Sequence, residues 1–191
     1  GGGHEMAYGH YLGLSKIVNN DSLGILNFDA HFDMRPLLPE NAGSSGTPFL
    51  QIAQAHEAAD KRFDYSCIGI QPGGNTAQLF ATAKRYHVQT LMADELHDDN
   101  RTRCLNFVNR IIFYNKFIYV SLCLDVFAQA YAPGVSAPQA LGISPRQILP
   151  MLHSLAGSGK VLSYDIAELS PSIDMDQRTA RLAASMIHEI L

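Results

Sequence analysis

Charged side chains are scarce in this sequence: Asp, Glu, Lys and Arg make up 17% of 191 residues, against 47% hydrophobic. A soluble domain usually carries about 25% charge, so part of the surface is expected to be covered. The cover would be a second copy in a homo-oligomer, or chain that is absent here. The 14 Lys and Arg residues are scattered and the net charge is −4. That leaves no basic footprint for nucleic acid or for an anionic membrane. No apolar run approaches the roughly 18 residues of a membrane span, and no signal peptide is visible. Cysteine is equally sparse. Cys67, Cys104 and Cys123 are odd in number and lack zinc-type C-x-x-C spacing, which suits reduced thiols in the cytoplasm. Repeats, low-complexity tracts and linkers are missing too, so residues 1–191 are expected to form a single domain with a real core. The abrupt start Gly1-Gly2-Gly3-His4 reads like the middle of an α/β unit, and an N-terminal portion is expected to be missing.

What the chain does have is alternation. Apolar strand-like runs recur at 24–28, 65–70, 88–92, 117–124 and 160–164, and helical periodicity covers 4–18, 49–58, 76–86, 99–114, 144–156 and 176–190. Strands alternating with helices predict an α/β fold whose mainly parallel sheet is covered on both faces. Asn75 and Ser144 read as helix N-caps, the latter with Pro145 at the first helical position. Loops 30–47 and 126–143 are long, shaped by Pro and Gly, and each follows a strand end. Such loops usually carry function, and in open α/β sheets ligands bind beyond the carboxyl ends of the strands.

Both loops begin with ligand-type residues. Asp29, His31 and Asp33 stand at alternate positions after the first apolar strand. Residues two apart in an extended chain lie roughly 6.5 to 7 Å apart on one side, so the three can share a cavity if the backbone stays extended. The run Tyr119 to Asp125 repeats the pattern with Cys123 and Asp125. Paired ligands at two strand ends suggest a two-metal centre. The competing reading is ordinary: aspartates at strand ends are common turn formers and helix N-caps.

Other candidates carry alternatives of their own. His4 follows three glycines at the start of a helix, facing whatever that turn encloses, although a lone histidine there is often just a polar residue. As a phosphate loop the glycines lack both the Lys-Ser/Thr of a P-loop and G-x-G-x-x-G spacing. Glu168 comes three residues after Asp165, read as a strand end, and could reach over the same cavity. Capping competes for Asp174. His10, His56, His87, His97, His153 and His188 have no partners at ligand spacing and are read as structural or solvated. Ser121 and Ser136 have no histidine arranged to activate them, which disfavours a serine hydrolase. Cys67 and Cys104 fit core positions.

Assembled in order, these motifs resemble the ureohydrolase family, the arginase and agmatinase relatives. The matches are G-G-x-H at 1–4, D-A-H-x-D at 29–33, S-x-x-x-D at 121–125 followed by P-G-x-x-x-P at 133–138, and D-x-x-E-x-x-P at 165–171. The resemblance implies a three-layer α/β/α arginase-like fold and two Mn²⁺ ions whose bridging hydroxide attacks a guanidinium or amidine carbon. It would place His4, Asp29 and Asp33 on one metal and His31 and Asp125 on the other. Asp29 would bridge and, with Glu168, serve catalysis. Cys123 stands where the family usually has a second bridging Asp. Glu168 would also accept hydrogen bonds from the substrate's C–N groups, and Ser45 lies in the segment resembling a substrate loop.

Within the family, details favour the formimidoylglutamase branch. G-G-G-H-E replaces the usual G-G-D-H-S, and Arg35 follows the D-A-H-x-D run. A guanidinium two residues from a ligand suits a carboxylate-bearing substrate and disfavours a cationic tail. The expected reaction is hydrolysis of N-formimidoyl-L-glutamate to L-glutamate and formamide, a step in histidine degradation. The alternatives are another ureohydrolase acting on a guanidino acid, or a catalytically impaired binding subunit, the latter motivated by Cys123.

Overall fold

The computed structural model describes residues 2–18 and 22–191; the motif position Gly1 lies outside the described residues. Five strands, β1 (Leu23–Phe28), β2 (Tyr65–Ile70), β3 (Gln89–Met92), β4 (Phe117–Cys123) and β5 (Val161–Ala167), form one sheet in the order β3-β2-β1-β4-β5. Every pairing is parallel. β1 and β2 are buried at every residue, as expected of parallel strands with helices on both faces. Three helices, α1 (Met6–Val18), α2 (Pro48–Ala58) and α3 (Ala77–Arg85), pack on one face against Ile25, Tyr65, Cys67 and Tyr119. On the other, α4 (Arg101–Tyr114), α5 (Pro145–Gly157) and α6 (Arg178–Ile190) cover Leu26, Phe28, Ile68, Val120 and Leu122. The three-layer α/β/α expectation holds. None of the described helices is long and apolar enough to cross a membrane.

The strand order positions the site. The chain builds outward from β1 to β3, then returns to lay β4 on the other side of β1. The winding direction therefore reverses between β1 and β4, and the crevice beyond their carboxyl ends is where such a sheet binds ligands. The register adds a second feature. Cys67 pairs with Asn27, Asn27 with Ser121, and Ser121 with Asp165. One row of small and polar side chains thus crosses four strands just below that crevice.

Some expected boundaries shift. α1 starts at Met6, with His4 and Glu5 in the preceding turn. β5 runs on to Ala167, so Asp165 lies within the strand rather than at its end. The cap of α3 is Thr76, whose side chain accepts from Leu79 N–H, and not Asn75. Ser144 does precede α5, with Pro145 first in the helix and the Gln147 side chain accepting the Ser144 N–H at 2.6 Å. Asp174 takes the capping role at α6, accepting from Thr179 N–H at 2.9 Å and Ala180 N–H at 3.0 Å. Gly69 is required for packing: its φ is +103°, and a Cβ there would lie 2.4 Å from Val126 Cγ2.

Candidate metal centre

Asp29 is the first residue beyond β1, and its N–H still donates to Ile68 O. The chain does not stay extended after it. It bends at Ala30 and His31, and Asp33 adopts a left-handed φ of 48°. Convergence of Asp29, His31 and Asp33 therefore comes from a bend, not from strand alternation. His31 N–H donates to Asp29 Oδ1 at 2.7 Å. Asn75 clamps the turn by accepting from Phe32 N–H at 3.1 Å and donating to Ala30 O at 2.9 Å. Tyr65 OH donates to Phe32 O at 3.0 Å. Asn75 was missed as a functional residue because its partners lie some forty residues away, with no local signal.

Around this turn the ligand-type atoms close on one another. His4 Nδ1 lies 3.0 Å from Asp29 Oδ2 and 2.9 Å from Asp33 Oδ2. His31 Nδ1 lies 3.1 Å from Asp125 Oδ2 and 3.4 Å from Asp29 Oδ1. Asp29 thus meets both histidines, one with each oxygen. His4, Asp29 and Cys123 offer donor atoms within 4.8 Å of one another, and so do Asp29, His31 and Asp33. All six sequence-derived ligand candidates are brought together.

Crowding three carboxylates under cover has electrostatic consequences. Burial would raise Asp29, but hydrogen bonds and charge from His31 and His4 outweigh it and hold its carboxyl far below the usual range. Burial and then the Asp29 charge push Asp33 up to about 6 and Asp125 up to about 7. Burial opposes charge on His31, yet Asp125 and Asp29 lift it to about 11. His4 is raised likewise by Asp29 and Asp33 against burial. Burial and the surrounding carboxylates push the Cys123 thiol up. Without cations, protons must hold this cluster together.

Several observations fit metal ions in their place. Asp125 Oδ1 is buried with no hydrogen-bond partner, and the buried His4 Nδ1 is aimed between two carboxylate oxygens. The donor set of two imidazoles, three carboxylates and one thiol carries four negative charges when deprotonated, which two divalent ions would balance.

Beside the cluster opens a cleft of 240 Å³ lined by His31, Asp33, Arg35, Ser45, Ser136 and Glu168 among others. Glu168 is buried at its edge with a left-handed φ of 71°. Its Oε1 accepts from His4 N–H at 2.8 Å and its Oε2 from Ser136 Oγ at 2.7 Å. Arg35 is exposed on the rim and ties the two ends of its own loop together by donating its N–H to Gly46 O. Larger hollows of 520 and 710 Å³ lie elsewhere, around Lys61 and Arg62, but neither is lined by any of the six ligand candidates.

One sequence expectation fails here. Ser121 does have a histidine partner: its Oγ is 2.8 Å from His4 Nε2. It is fully buried, so it supports rather than attacks. His10 has a structural role, in keeping with its reading as structural or solvated, since its Nδ1 lies 2.7 Å from Asp165 Oδ2. Gln139 was also missed; its Nε2 sits 3.3 Å from His31 Nε2. The only hint in the sequence was its place in the long loop 126–143.

The sequence matches the arginase family model over residues 1–191. It is 52% identical to a formimidoylglutamase of Legionella pneumophila (strain Lens) over all of this chain and 59% of that protein. A formimidoylglutamase of Rhodococcus opacus (strain B4) is 44% identical over all of this chain and 60% of its own length. The chain thus spans about 60% of the length of these curated relatives. Among solved structures, formimidoylglutamase from Bacillus subtilis superposes with a TM-score of 0.88 at 22% identity, covering 100% of this chain and 58% of that one. Trypanosoma cruzi formiminoglutamase, crystallised with Mn²⁺, superposes with a TM-score of 0.86 at 24% identity over 100% of this chain and 62% of that one. By its ligand cluster, its fold and its match along the whole sequence, the chain belongs to the arginase family.

Proposed function

We propose that the protein hydrolyses N-formimidoyl-L-glutamate to L-glutamate and formamide with two Mn²⁺ ions per subunit. The observation that carries the reading is the meeting of a buried cluster of imidazole, carboxylate and thiol donors with an arginine on the rim of one cleft. The naming of the 52% identical relative supports the same chemistry. His4, Asp29, Asp33 and Cys123 would hold one ion, and His31, Asp125 and the shared Asp29 the other. Such an ion pair supplies a water of lowered pKa and polarises the electrophile.

The chain's own residues do the rest. Arg35 binds a substrate carboxylate through its planar fork, with Ser45 beside it. Glu168 accepts from the N–H groups of the formimidoyl unit. It is kept in place by His4 N–H and Ser136, and its spare lone pairs remain for the ligand. The same reading treats residues 1–191 as one arginase-like domain. A homo-oligomer is supported by apolar side chains left on the surface, such as Phe113 at 76% and Leu141 at 85% exposure. A cytoplasmic setting is supported by three unpaired cysteines.

The test is turnover by purified protein of known Mn²⁺ content against formimidoylglutamate, arginine, agmatine and guanidinobutyrate. Formamide from the first substrate alone is expected. Urea from any of the others would move the assignment to a guanidino-substrate hydrolase, and metal binding without turnover would leave a binding subunit.

A further inference from the structure

We propose that Asp165, acting through Ser121, is the positioning residue that makes His4 a metal ligand. The inference rests on the two-ion reading above, but it concerns side chains that lie behind the cluster and touch no ion or substrate.

The geometry fixes the direction of each hydrogen bond. Ser121 Oγ lies 2.6 Å from Asp165 Oδ1 and 2.8 Å from His4 Nε2. The other Asp165 oxygen meets Tyr119 OH at 2.5 Å and His10 Nδ1 at 2.7 Å. Three donors therefore converge on one carboxylate, the surroundings of a group that only accepts. The Ser121 proton then belongs to the bond toward Asp165, and the Ser121 oxygen is left to accept from His4 Nε2–H. In the neutral ring, the form that binds a metal, that tautomer leaves Nδ1 without a proton and its lone pair facing Asp29 and Asp33. A carboxylate behind a ligand imidazole also raises the basicity of the ring; here a serine hydroxyl is interposed.

The sheet register explains why the arrangement is rigid. Ser121 and Asp165 are register partners on β4 and β5, and His4 reaches them from the turn before α1. His10 follows in the second turn of α1. Its Nε2 contacts Ser163 Oγ at 2.9 Å, so it braces Asp165 from the helix side.

The experiment uses protein stripped by chelation and titrated with Mn²⁺, resolving the two binding steps by calorimetry. Ser121→Ala and Asp165→Asn should each weaken one ion by roughly tenfold to hundredfold while leaving the other within about twofold. Because they act in series, the double variant should lose no more than the weaker-binding single variant. Equal weakening of both ions with a lower melting temperature of the metal-free protein would mean general loosening and would overturn the inference. Additive losses, or unchanged affinity, would overturn it too. If Asp165→Asn fails to fold, Ser121→Ala decides alone by its effect on one ion or both. A parent protein that binds no Mn²⁺ overturns the two-ion reading itself, whereas a parent that binds two ions with variants to match overturns only this inference.

Discussion

The two histidines of the cluster are held in different ways. His4 has no exposed side-chain surface, and Ser121 and Asp165, on neighbouring strands of the sheet, back it. His31 is 13% exposed and is backed by the Gln139 amide from a long loop. Gly74 lies so close that a Cβ there would sit 3.0 Å from the His31 ring. One half of the site is thus set by strand register, and the other by loops that can give. Ligands braced on strands hold geometry more tightly than ligands on loops. The ion on the His4 side should therefore exchange more slowly than its neighbour.

The largest effect comes from erasing the comparison altogether. Asp29→Ala removes the one carboxylate that touches both histidines, so retention of both ions should fall by more than the tenfold to hundredfold typical of losing a supporting partner. Activity should drop to background. Elemental analysis after dialysis and a turnover assay check this, and a variant with full activity would contradict it.

Arg35→Lys should leave both halves intact and change only what the cleft grips. Losing a charge-assisted contact of about 1.5 to 3 kcal/mol should raise KM roughly tenfold or more. Metal content should stay the same. If the variant loses metal and keeps its KM, Arg35 supports the loops rather than recognising a carboxylate.

Cys123 sharpens the comparison on the His4 side. A thiolate offers one soft donor where a carboxylate offers two hard oxygens. Cys123→Asp should strengthen Mn²⁺ binding severalfold, and Cys123→Ala should weaken it. Competition against a coloured chelator measures both. Equal Mn²⁺ affinity in the alanine variant would remove Cys123 from the ligand set.

The smallest effect is on stability against pH. In the metal-free fold His31 is lifted to about 11, Asp125 to about 7 and Asp33 to about 6. All three retain protons that the unfolded chain gives up at lower pH. Their stabilising contribution is complete below the unfolded pKa and is lost as pH rises through the folded value. The melting temperature of metal-free protein should therefore fall from about pH 5 to about pH 9, while the increment produced by Mn²⁺ grows as protons cease to compete. Calorimetric scans with and without Mn²⁺ test it; a metal-free melting temperature that rises across that range would contradict it.

The parts legible in the sequence were those written locally. β1 and β4 are continuous apolar runs, and the ligand candidates follow their ends within a few residues. Loops 30–47 and 126–143 showed themselves by their length and their prolines. The parts that stayed hidden depend on contacts between distant segments. Ser121 seemed to lack a histidine because His4 lies 117 residues earlier. His10 reaches Asp165 across 155 residues, and helical spacing could not reveal that. Asn75 looked like a cap because it stands before a helix, yet its side chain is taken by the turn at Ala30 and Phe32. The expected end of β5 at Asp165 falls two residues short, because a carboxylate there reads as a strand end. Only the register with β4, which pairs Ile166 with Leu122 and Ala167 with Cys123, shows that the strand continues.

On the proposed reading, one cluster sharing Asp29 holds two ions side by side. Manganese content per chain, measured on dialysed protein together with its electron paramagnetic resonance spectrum, tests this most directly. Two ions per chain with a spectrum broadened by coupling between them is the expected result. A single uncoupled ion, or none, would contradict it.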